Sequence, residues 1–193
     1  METSANPDPQ TTRPSKDRTP RIYVASLADY NAGDLLGRWI DADQPVEAIH
    51  DEIAGMLAQS TQPIAEEWAI HDYENFGELS LREYESLEKV SEVACGIVEH
   101  GPVFAGLVNH CGGAGNVDEA RRYMEEAYRG SFGSLADYAA ELIEDCYSDA
   151  IKTLPEFIRY HIDYDGIGSD MELSGDIFTV ACEGQLYVFD AHI

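Results

Sequence analysis

Roughly three carboxylates stand in this sequence for every basic side chain, 37 Asp and Glu against 12 Lys and Arg, and no other feature limits its folding so tightly. An ionised carboxylate is costly to bury unless a cation or several hydrogen bonds satisfy it. Even if every basic residue took a partner, a surplus of 25 negative charges has to stay in water. Each helix or strand must therefore keep one face for the core and yield another to carboxylates. Apolar side chains at 44% supply enough core for a folded chain, so the acidity is carried by a globular protein and not by a disordered one.

That charge excludes whole classes of partner. Proteins that hold phosphate backbones neutralise them with Lys and Arg, so direct binding to nucleic acid or to an anionic membrane is not expected, and a partner chosen by charge is basic. The longest apolar runs, such as Phe178-Thr179-Val180-Ala181-Cys182, fall far short of the ~20 residues that span a bilayer. Cys95, Cys111, Cys146 and Cys182 form no close pair, so neither a zinc knuckle nor a disulfide framework is read, and a reducing cytoplasm with free thiols is expected.

Residues 1–20 hold four prolines and no apolar core, and read as a flexible tail without a signal peptide. Beyond Arg21 the chain retains 8 basic and 34 acidic residues. An α+β protein of three segments is expected. Residues 21–77 read as β-β-α-β: strands at Ile22-Tyr23-Val24-Ala25-Ser26-Leu27 and Gly37-Arg38-Trp39-Ile40-Asp41, a helix opened by Pro45 with an apolar stripe Val46, Ile49, Ile53 and Met56 or Leu57, and a strand from Glu66 to His71. Residues 78–130 read as a central helical domain, its first helix starting at Ser80 with Glu83 as capping-box partner, followed by short helices at 103–108 and 117–128. Residues 131–193 read as α+β. A long helix at 134–150 is capped by Ser134, a short helix follows at 155–161, a polar connection spans 163–170, and a hairpin turns on Glu183-Gly184.

Motifs for chemistry fail on inspection. Asp163-Tyr164-Asp165 invites a calcium-loop reading, but Ile167 and Ser174 stand where further ligands are needed. Gly112-Gly113-Ala114-Gly115 lacks the lysine of a phosphate loop. His71-Asp72 and His110-Cys111 have no supporting catalytic context. No cofactor, metal or catalytic residue is expected; a small acidic enzyme or metal-binding protein using His71/Asp72 or Asp163/Asp165 is the alternative.

What remains is the layout of acids. Glu85, Glu88 and Glu92 recur at helical spacing, and Asp137, Glu141, Glu144, Asp145 and Asp149 recur opposite the stripe of Leu135, Tyr138, Leu142 and Cys146. Like charges so spaced cost a helix a few tenths of a kcal/mol each. Adaptation to salt or simple solubility is one explanation, since only three lysines occur. Imitation of a phosphate backbone, which carries one charge per ~1.7 Å of duplex, is the other.

The runs Ile22 to Gly33, Gly37 to Asp41 and Glu66 to Glu74 resemble the start of the ArdA-type antirestriction proteins, and Leu154-Pro155-Glu156-Phe157-Ile158-Arg159-Tyr160 through Asp163-Tyr164 to Asp170-Met171-Glu172-Leu173-Ser174-Gly175 resembles that family's antirestriction motif, a likeness running over residues 21–193. The resemblance implies an elongated, non-enzymatic, dimeric DNA mimic, carried on mobile genetic elements, that fills the DNA-binding groove of type I restriction–modification enzymes and blocks restriction of incoming DNA, and modification with it. On that reading the two acidic series form the mimic surface. The motif residues Leu154, Pro155, Phe157, Tyr160, Asp163, Tyr164, Asp170, Leu173, Ser174 and Gly175 mix apolar and acidic types, which suits a homodimer interface. A mimic aimed at another DNA-binding protein, such as a repressor, is a further alternative.

Overall fold

The computed structural model describes residues 18–193; all but the last three residues of the expected tail lie outside that range. The chain is α+β, with helices and two three-stranded antiparallel sheets divided between two compact units, the boundary along the sequence falling between Ala120 and Arg121.

In the first unit β1 (Arg21–Ser26) lies between β2 (Gly37–Asp41) and β3 (Trp68–Glu74). Alternation decides which side is buried: Ile22 and Val24 of β1 and Ile40 of β2 face α2 (Val46–Leu57), which answers with Ile49, Ile53 and Met56, the stripe expected from spacing. Each such fully buried aliphatic side chain stabilises by about 1.5–3 kcal/mol. A short helix, α1 (Leu27–Ala32), interrupts the expected strand-to-turn passage. Ser26 caps it, Gly33 closes it at φ 92°, and the Ser-x-x-Asp spacing of Ser26 and Asp29 was the overlooked signal.

The next helix, α3 (Leu87–His100), starts six residues later than expected from a cap at Ser80, because Ser86 is its cap. The segment before it is held against β3, where the Ile70 N–H donates to the Glu83 carbonyl at 2.9 Å. Ser91 Oγ donates to the Gln44 carbonyl at 2.6 Å, so hydrogen bonds join the segments on either side of residue 77. Two further helices, α4 (Val103–His110) and α5 (Val117–Arg122), follow. Phe104 packs fully buried against Gly96 of α3, where a Cβ would collide with its ring.

The second unit contains a strand over residues 128–132, where the sequence pattern ends a helix at 128 and assigns no element to 129–133. A π-turn at Tyr123–Ala127 leads into β4 (Tyr128–Phe132), which pairs with β6 (Gln185–Asp190), itself paired with β5 (Ile177–Cys182) in the order β4-β6-β5. Gly130 and Ser131 concealed β4; only its partner makes it a strand. The β5–β6 hairpin turns on Glu183 and Gly184, both at positive φ, as expected. Upon this sheet lie α6 (Leu135–Thr153), capped by Ser134 as expected, and α8 (Tyr164–Ser174), with the one-turn α7 (Glu156–Arg159) between them. The polar connection expected at 163–170 is instead most of α8. Asp163 caps it and Gly175 closes it, and Gly168 lets it cross Leu135 so closely that a Cβ would stand 2.6 Å from the Leu135 carbonyl oxygen.

Candidate acidic surface

The two acidic series differ in what holds their charges. On the first, Glu85 precedes α3, and its carboxylate accepts from the Arg82 N–H at 3.4 Å. Glu88 lies in the first helical turn, where the N-terminal dipole favours an anion. It accepts from Ser86 Oγ at 2.6 Å, and this hydroxyl holds its carboxyl below the usual range. Glu92 is taken by Lys89, whose ammonium reaches it at 2.8 Å and Asp118 at 3.1 Å. Those two carboxylates in turn raise the Lys89 pKa, so the cation stays charged. The first series is thus largely engaged within its own unit.

On the second, Asp137 belongs to the α6 cap: Ser134 Oγ donates to its carboxylate at 2.7 Å and accepts from its N–H at 3.2 Å. The others are different. Glu141, Glu144 and Asp145 are exposed and have no hydrogen bond or ion pair among the described residues, and Asp149 meets only Lys152, at 3.8 Å. From Glu141 to Asp149 the helix rises about 12 Å, so these four carboxylates fall one per roughly 4 Å of axis, close to the ~3.4 Å per charge of a single nucleic-acid strand. At 100° per residue they fan over about 140° of the helix. Beyond Ala139 no side chain of α6 is fully buried, although Leu142 still packs against the core cluster.

The motif residues divide into two kinds. Leu154 ends α6, Pro155 opens α7, Asp163 caps α8 by accepting from the Gly166 N–H at 2.9 Å, and Gly175 ends α8 at φ 79°, with Ser174 Oγ turned back to the Met171 carbonyl. These are punctuation. Phe157, Tyr160 and Leu173 are 71%, 77% and 85% exposed. Tyr164 is half-buried and Asp170 exposed.

Chemistry outside this surface is sparse. His71 is the extra residue of a bulge in β3, edge-on to Tyr30 with ring centroids 4.9 Å apart, while Asp72 accepts from the Tyr73 N–H; the two are not bonded to each other. Burial pushes the Cys111 thiol up to about 11, away from nucleophilic use. Among the described residues no three His, Cys, Asp or Glu side chains assemble as a metal set, and no helix is long and apolar enough to cross a membrane.

Fold and surface together define an acidic α+β protein that displays unpaired carboxylates along an exposed helix. The family model described as antirestriction protein (ArdA) matches residues 22–184, and the chain belongs to that family. No curated protein matches it.

Proposed function

We propose that this antirestriction protein acts as a DNA mimic: its exposed carboxylates occupy the DNA-binding groove of a type I restriction–modification enzyme and exclude the duplex. The observation that carries this is the α6 series, whose axial charge spacing approaches that of a phosphate strand and of which Glu141, Glu144 and Asp145 have no cation of their own among the described residues. A protein concerned only with its own stability gains nothing from four like charges on adjacent turns. The exposed Phe157, Tyr160 and Leu173 suit self-association, and we assign them to a homodimer contact that would double the charged length.

The test is direct calorimetric binding of the purified protein to a type I methyltransferase core without DNA, since a DNA competitor would itself weaken with salt. Each neutralised contact should release counterions, so affinity should fall by at least about 100-fold between 50 and 200 mM salt if several carboxylates engage. Affinity that ignores salt would defeat the mimicry.

A further inference from the structure

We infer that a groove on the second unit is a socket for one arginine or lysine side chain of the basic partner, distinct from the uniform charged face around it. The inference rests on the reading proposed above and names what part of that surface recognises. The groove has a volume of about 470 Å³. Its floor is apolar: Tyr138 belongs to the buried core cluster with Ile177 and Val188, and the partly buried Phe132, Leu142 and Met171 pack against that cluster, so the floor is fixed by the fold. Its rim carries Glu141 and Asp145, one turn apart on α6 and both without a partner among the described residues.

The opposite wall adds no free cation. Arg129 is the extra residue of a bulge in β4, which aims it at Asp190, 2.7 Å away. Asp176 stands 3.7 Å from His192. Four carboxylates thus line the groove against one guanidinium that is already engaged.

A phosphate imitation needs only charge, and an apolar slot between two acids has no counterpart in a sugar–phosphate edge. The slot does match a long basic side chain, whose methylenes seek apolar surface while its head seeks carboxylates. Glu141 and Asp145 at i, i+4 present two acceptors to one cation, and a planar guanidinium with its several donors uses both better than an ammonium does.

Two measurements test this. In protein labelled at its methionine methyls, Nα-acetyl-arginine methylamide should shift the Met171 resonance saturably. Guanidinium chloride, which lacks the stem, and Nα-acetyl-norleucine methylamide, which lacks the cation, should each need several-fold more. No shift at Met171, or equal shifts from all three, would overturn the socket. In the second, two variants remove the same charge from the same exposed helix: Glu141→Gln/Asp145→Asn at the rim and Glu144→Gln/Asp149→Asn away from it. The rim pair should weaken binding to the methyltransferase by at least about tenfold more, as loss of a desolvated charge contact does. Equal losses would refute the socket and leave the distributed mimic standing. A wild-type chain that does not bind the enzyme defeats both, and a rim pair that instead dissociates the homodimer in sedimentation would show the occupant to be a second copy.

Discussion

Asp29 shows how one buried carboxylate is tolerated in a chain overloaded with them. It is 3% exposed, and its Oδ2 accepts from Ser26 Oγ at 2.6 Å and from Ser60 Oγ at 2.7 Å, tying α1 to the loop after α2. Hydroxyl donation, from Ser26 first and then Ser60, holds its pKa below the usual carboxylate range. A carboxyl depressed in the folded state adds stability above its unfolded pKa, near 3.9, and loses it as pH falls through that value toward the folded one. Asp29→Asn should therefore lower the urea midpoint at pH 7, and its deficit against wild type should shrink as pH drops below about 4. A deficit independent of pH would assign the effect to shape alone. The Ser26 and Asp29 pairing was legible as a spacing; its bond to Ser60 was not, since the two lie thirty-one positions apart.

At the level of elements, α6 is a helix working against itself. Glu141, Glu144, Asp145 and Asp149 repel at three- and four-residue spacings, and those nearest its C-terminus also oppose the helix dipole. Neutralising Asp145 and Asp149 to Asn should therefore stabilise the protein by about 0.5 kcal/mol, raising Tm by roughly 1–2 °C, while weakening the partner complex. A mutant that is less stable would mean that the pairing of Asp149 with Lys152 outweighs the repulsion. The long helix, its Ser134 cap and the terminal hairpin were readable because 3.6-residue and alternating patterns are local. Strand β4 and helix α8 were not: Gly130, Gly166 and Gly168 argue against regular structure, and the pairing with β6 and the close crossing with Leu135 overrule them. The start of α3 was misplaced because two serines, Ser80 and Ser86, could each cap it, and only the contact of the preceding segment with β3 chooses.

For the whole chain, a formal charge of −25 should make stability and the proposed binding respond to salt in opposite directions. Screening over a Debye length of ~10 Å at 0.1 M relieves self-repulsion, so melting temperature should rise between 20 and about 300 mM sodium chloride, over the range in which affinity for the proposed basic groove should collapse. A melting temperature that falls with salt would mean that attractive pairs, such as Lys89 with Glu92 and Asp118, outweigh the repulsion. Composition by itself determined that the surface is anionic, because so many uncompensated charges cannot enter a core, and the ordered motifs were enough to point to the family. Which carboxylates stand free was decided only by tertiary structure. Glu92 and Glu141 look alike along the chain, yet one lies under a lysine and the other beside an open apolar groove, because ion pairs and cavities form between residues that sequence distance does not relate.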